Sequence, residues 1–385
     1  MNPSRVLLIA EGQLGDLLLL TPALRAIKHT YPLAIVSVLV VERRPSGIPG
    51  SRSEEGLPQM LFADKATALS GNANVDAMYV LDRSALRSRA GFQRIKAELD
   101  IIRFLRSKKF DTVICTFPED RFVAWAYLSG AAVRIGQKVQ PLRWLLTSTP
   151  DIRKNTRGVL EYYCDLVGSL GAKVESTSTE CFVPGSSVRR MDEALAGLDI
   201  DRTKDLVAVH PGATGDYKIW PPERFAALID HLQRRCGVQV VLCSGALDKP
   251  VLDAIEQRLH RRVAVVDTSS SIGELAAVLQ RSLLCVSNDS GPRHLAVAVG
   301  TPTIALFRQF HEREWKIYPE SPTCVTLVGL GQCPVCPAGA CLDRVPEGEQ
   351  YGSYCLRMVS LDRAVEQIEH AVRASRAKRE QMRDG

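Results

Sequence analysis

The sequence predicts an α/β protein built as two Rossmann-like, doubly wound domains facing each other across a cleft. Three observations lead there. The 385 residues exceed what one ordinary core needs. Short apolar runs alternate with amphipathic stretches in both halves, the pattern of parallel sheets covered by helices. Each half also contains a strand that runs directly into a glycine-containing turn at the start of a helix.

Taken in order, residues 6–10, 35–41, 77–81 and 112–116 are apolar runs suited to buried parallel strands. Residues 17–30 and 93–107 read as helices, the second placing Ile95, Leu99 and Ile102 on one face. Residues 44–57, rich in Pro, Gly and Ser, read as a loop. Polar sequence with Gly and Ser at residues 184–188 marks the border between the halves. Beyond it strands are expected at 206–209, 238–243, 263–266, 283–286 and 303–307. Ser271 and Glu274 form a capping box for a helix that runs through Leu279. Residues 360–379 read as a last helix, with Leu361, Val365, Ile368 and Val372 at helical spacing.

Charged residues at 24% and hydrophobic ones at 45% describe a globular chain. The apolar start is cut by Glu11 and Asp16 well short of the roughly 20 residues a membrane span requires. Neither a signal peptide nor a transmembrane anchor is expected, so a cytoplasmic location with mostly reduced cysteines is. The net charge of +6 is unevenly placed, because residues 83–157 hold 16 Lys plus Arg against six acids. A focused positive field suits a phosphorylated glycolipid, an anionic membrane surface or nucleic acid, and a solvated basic face is the alternative.

Three segments carry chemistry. Ser287-Asn288-Asp289-Ser290-Gly291-Pro292-Arg293-His294 joins a strand to a small-residue helix, whose first turn offers unpaired N–H groups and the positive end of a dipole to an anion. His210-Pro211-Gly212-Ala213, with Lys218-Ile219-Trp220-Pro221 after it, follows a second strand. Gly12-Gln13-Leu14-Gly15-Asp16 follows the first. Asp16 fits equally as a catalytic base or as a helix cap.

Together these segments resemble the signatures of family 9 glycosyltransferases, the heptosyltransferases of bacterial lipopolysaccharide assembly, from Arg5 to about Val372. The resemblance implies a GT-B-type fold. Residues 1–185 would bind the acceptor, residues 186–359 the nucleotide sugar, and a terminal helix, 360–385, would pack back on the N-terminal domain. It also implies an inverting transfer of heptose, with ADP-heptose the expected donor, to a lipopolysaccharide-core acceptor. Asp16 would be the base and Lys218 the cation for the departing phosphate. Gly212, Thr214, Asp289, Ser290, Gly291 and His294 would hold the donor, and Gly15 with the basic pair Arg87 and Arg89 would meet the acceptor. A buried core histidine is the alternative for His294. The family usually has threonine where Ser290 stands, and a hydroxyl residue where Leu14 precedes Gly15 and Asp16. The partners implied are a nucleotide-sugar donor and an anionic glycolipid, with peripheral contact at the inner membrane and no nucleic acid. A nucleotide-sugar epimerase and a non-catalytic nucleotide-sugar-binding protein are the rival readings.

No cofactor is expected in catalysis, since no paired-carboxylate metal site is evident. Four of the 11 cysteines, Cys333, Cys336, Cys341 and Cys355, have a spacing that could close a tetrahedral site for zinc or iron. Buried free thiols and a redox-labile disulfide are the alternatives.

Overall fold

A computed structural model describes residues 2–42, 64–83, 86, 91–150, 158–245, 247–269, 271–309, 317–335 and 343–384. The loop expected at 44–57 lies outside them. The chain divides into two compact units, Met1–Phe182 and Val183–Gly385.

The first unit holds five parallel strands: β1 Arg5–Glu11, β2 Ile35–Glu42, β3 Ala77–Asp82, β4 Thr112–Cys115 and β5 Val133–Ile135. Their order is β3-β2-β1-β4-β5, so the winding reverses between β1 and β4. Leu7, Ile9, Val113, Cys115, Phe122 and Trp125 belong to its buried core. The single helix expected at 17–30 is two helices, Leu14–Leu19 and Thr21–Thr30. Pro22 explains the break: it lacks an N–H for a continuing helix but suits a first turn.

The helix Gly91–Lys108 corrects the expected face. Ala97, Ile101 and Leu105 are buried, while Ile95 and Leu99 point to solvent. Ile95 and Leu99 do share a face, but it is the one roughly opposite the sheet at 100° per residue.

The second unit holds β6 Leu206–His210, β7 Gln239–Ser244, β8 Ala264–Asp267, β9 Leu284–Asn288, β10 Thr303–Phe307 and β11 Cys324–Val328. All described pairs are parallel, in the order β11-β10-β9-β6-β7-β8. Here the reversal falls between β6 and β9. The sequence reading missed β5 and β11: β5 has three residues with a central arginine, and β11 sits in the cysteine-containing segment. The Ser271 hydroxyl caps its helix by accepting from the Glu274 N–H.

The terminal helix, Leu361–Asp384, keeps its expected apolar stripe, which packs within the second unit. Ala364, Ile368, Ala371 and Val372 are buried in the core of the second unit, beside Trp220, Phe225 and Leu356. Arg376 pairs with Asp205 at 2.7 Å and Arg379 donates to the Ser282 carbonyl, tying the helix to that unit's sheet.

Candidate active site

In doubly wound sheets, ligands bind beyond the carboxyl ends of the strands at the reversal of strand order. In the first unit that position belongs to the turn after β1. Gly12 donates from its N–H to the Val41 carbonyl, and a Cβ there would lie 2.9 Å from the Glu42 Cα. Gln13 is the residue before the helix Leu14–Leu19, so Asp16 is the third helical residue and not its cap. Gly15 is buried in the same first turn. Asp16 is half-buried, and the Tyr163 hydroxyl donates to its Oδ1 at 3.3 Å. Burial, with the Asp16 charge second, holds the Tyr163 phenol well above its ordinary value, so it stays a proton donor at neutral pH.

Arg83 lies beside this turn and is nearly fully buried between Glu11 at 3.2 Å and Glu119 at 2.8 Å. Its charge, counted above with the basic stretch, is therefore used internally. Arg134 is also committed, to the Leu145 carbonyl and to the face of Tyr127. Arg87 and Arg89, the expected acceptor contacts, lie outside the described residues.

In the second unit β6 and β9 flank the reversal, and their end residues are linked. The Asn288 side chain accepts from the Trp220 N–H at 3.0 Å and donates to the Pro211 carbonyl at 2.5 Å. One amide thus grips both ends of the loop that carries Gly212, Thr214 and Lys218. Trp220 anchors the far end: it is fully buried, stands edge-on to Phe225 and donates to the Val359 carbonyl at 3.0 Å. Lys218 ends the short turn Asp216–Lys218, half-exposed, with no carboxylate partner among the described residues. Thr214 is exposed.

Gly212 is required by a close approach. A Cβ there would fall 1.9 Å from Asp248 Oδ1. Asp248 is buried, accepts from the Gly245 N–H at 2.7 Å and faces His210 Nε2 at 3.5 Å. Burial lowers the His210 pKa, opposed by the Asp248 charge.

The helix Gly291–Ala298 follows β9, with Ser290 as its cap residue. The Ser290 side chain does not bond the first turn. Asp289 is buried at the strand end, its N–H on the Leu306 carbonyl. His294 does not reach the surface of this turn: it is buried, with Nδ1 at 2.9 Å from the Tyr318 hydroxyl. Burial, then Arg293, pushes its pKa down to about 3, so it is neutral and lacks the cationic character a phosphate ligand would use. Arg293 is fully buried over the rings of Phe307 and Tyr318 and donates to Thr326 Oγ1 at 2.9 Å.

Asn288, Asp248, Tyr163 and Arg293 were not singled out from sequence. Asn288 and Arg293 lay inside a recognised motif and could have been weighed there. Asp248 and Tyr163 carry no local signal.

Of the four cysteines, Cys333 and Cys355 are buried. Cys336 and Cys341 lie outside the described residues. No helix among the described residues is long and apolar enough to cross a membrane.

The sequence profile of glycosyltransferase family 9 (heptosyltransferase) matches residues 99–337. The chain is 26% identical over 309 residues to lipopolysaccharide heptosyltransferase 3 of Escherichia coli, spanning 78% of this chain and 83% of that protein. A family 9 glycosyl transferase from Veillonella parvula shares its fold with a TM-score of 0.75 at 21% identity, over 97% of this chain and 99% of that one. The ADP-heptose lps heptosyltransferase II of Escherichia coli does so with a TM-score of 0.67 at 18% identity, over the same shares.

Proposed function

The chain belongs to glycosyltransferase family 9, the heptosyltransferases, and on that premise we propose that it transfers heptose, with inversion, from ADP-heptose to a lipopolysaccharide-core acceptor. Membership sets aside the epimerase and the non-catalytic readings. The observation that carries the proposal is the Asn288 clamp, which ties the Lys218 loop to the strand leading into Asp289-Ser290-Gly291. A cation and a helix N-terminus are thereby held at neighbouring strand ends, the provision a leaving diphosphate needs. The likeness to the ADP-heptose lps heptosyltransferase II of Escherichia coli supports the choice of donor.

In this reading Asp16 takes the proton of the acceptor hydroxyl. The acceptor oxygen bonds to the anomeric carbon from the face opposite the phosphate, and the bond from that carbon to the phosphate oxygen breaks. ADP leaves with the electron pair, its charge met by Lys218 and by the N–H groups at Ser290 and Gly291. Gly212 and Thr214 line the diphosphate, and Asp289 accepts from sugar hydroxyls. His294 acts through Tyr318 and Arg293 as part of the floor beneath this turn. Tyr163 donates to Asp16 Oδ1 and steadies the carboxylate. Gly15 and the pair Arg87 and Arg89 serve the acceptor.

Catalysis in this scheme needs no cofactor, because Lys218 and the helix supply the positive charge. Cys333, Cys336, Cys341 and Cys355 are proposed to hold a structural zinc or iron, supported by the burial of the two described thiols. Peripheral contact with an anionic membrane face from the cytoplasmic side is supported by the solvent face of Gly91–Lys108, where Phe92, Ile95 and Leu99 are followed by Arg103 and Arg106.

The test is a donor screen followed by transfer. ADP-heptose should raise the melting temperature of the protein where UDP- and GDP-sugars do not, and labelled heptose should pass to a heptose-deficient lipopolysaccharide core in the presence of EDTA. Stabilisation by another nucleotide sugar alone would overturn the donor. Binding of ADP-heptose without transfer to any core acceptor would overturn the reaction.

A further inference from the structure

The helix Pro222–His231 does not simply end at His231. It continues as a π-helical turn, Leu232–Cys236, closed by Gly237 in the left-handed region at φ 62. With α-helical winding, residues 231 and 236 would stand about 140° apart around the axis. The i→i+5 winding instead stacks Cys236 next to His231, and such turns recur at functional sites. Across from them the terminal helix presents Glu369, whose Oε1 lies 2.7 Å from His231 Nε2. One nitrogen, one sulfur and one carboxylate oxygen lie within 4.8 Å of one another.

We propose that His231, Cys236 and Glu369 form a divalent transition-metal site of the zinc class, open to one water. A tetrahedral zinc with bonds of about 2.0–2.3 Å needs ligand atoms about 3.5 Å apart. Modest side-chain rotations reach that from the observed positions, since all three residues are only partly buried.

Arg373 sits 3.6 Å from Glu369 Oε2, the oxygen the metal would leave free, where a hydrogen-bond donor steadies a ligating carboxylate. Arg376 donates to the Cys236 carbonyl and not to its sulfur, and its charge is met by Asp205. Binding forms metal bonds to Nε2, Sγ and Oε1; the proton shared between Nε2 and Oε1 moves to Nδ1 or to solvent, and the Cys236 thiol gives its proton to solvent. No electron transfer is involved. The site would staple the terminal helix to the far end of the helix Pro222–His231, whose start follows the Lys218 motif.

The experiment measures zinc uptake by the full-length protein as purified, by elemental analysis after equilibration at rising zinc and removal of loose metal. Wild type should take up one more equivalent per chain than Cys236→Ser, His231→Gln or Glu369→Gln, or hold it at least tenfold more tightly. Cys336→Ser should keep the increment, which separates this site from the other cysteines. Zinc should also raise the melting temperature of wild type by more than that of Glu369→Gln. That change at a partly exposed residue keeps the decision open if Cys236→Ser folds poorly. Equal uptake and an equal thermal shift in Cys236→Ser and Glu369→Gln would overturn the proposal.

Discussion

The sharpest consequence of the structure concerns a single methyl group. Gly212→Ala places a Cβ 1.9 Å from Asp248 Oδ1 and 2.1 Å from its Cγ, so Asp248 has to move by more than 1 Å. It has nowhere cheap to go, being buried and engaged with the Gly245 N–H. Overpacking of this kind costs about 1–3 kcal/mol, and losing a hydrogen bond to a charged group costs about 1.5–3 kcal/mol. Since one displacement causes both, about 2–3 kcal/mol is expected for the pair. For a unit near 200 residues that is a fall of roughly 4–12 °C in melting temperature. The assay is a thermal melt of four proteins: wild type, Gly212→Ala, Asp248→Ala and the double variant. In the Asp248→Ala background the added methyl should cost less than about 0.5 kcal/mol, a coupling typical of residues in contact. An unchanged melting temperature for Gly212→Ala, or the same loss in both backgrounds, would refute the reasoning. ADP-heptose should bind Gly212→Ala more weakly than wild type, because the loop backbone must shift.

Asp16→Asn should keep donor affinity and lower turnover by roughly 10²-fold or more, the scale of a lost base; wild-type turnover would make Asp16 merely a first-turn residue. Tyr163→Phe removes a donor that favours the charged carboxylate, so the acidic limb of the kcat/KM profile should move to higher pH, and an unmoved limb would give Tyr163 a packing role alone. Lys218→Ala should weaken both donor binding and turnover, measured as a rise in KM with a fall in kcat. His294 has a folded pKa of about 3, below its unfolded value near 6.5, so the folded state binds fewer protons between those pH values. Its stability contribution is complete above pH 6.5 and is lost as pH falls. By pH 4 wild type should have lost about 3 kcal/mol more than His294→Gln in denaturant titrations, and parallel losses would show that His294 does not titrate this way.

Sequence by itself determined the fold class and the position of each motif. Strand-like runs, the Ser271 cap and the turns after β1, β6 and β9 depend on residues near one another in the chain, so periodicity and turn chemistry reveal them. The stripe Leu361, Val365, Ile368 and Val372 was legible for the same reason; the surface that buries it was not. Tertiary structure alone decided which helix face turns inward, since both stripes of Gly91–Lys108 are apolar and only contact with the sheet selects Ala97, Ile101 and Leu105. It also decided the partners of the site: Asn288 against Pro211 and Trp220, Asp248 against Gly212, and Tyr163 against Asp16. Each joins residues far apart in sequence, and no local pattern encodes such a meeting. His294 shows the division in one side chain. The sequence places it one turn into the helix after β9, but its charge depends on burial beside Arg293 and Tyr318, and the fold settles both.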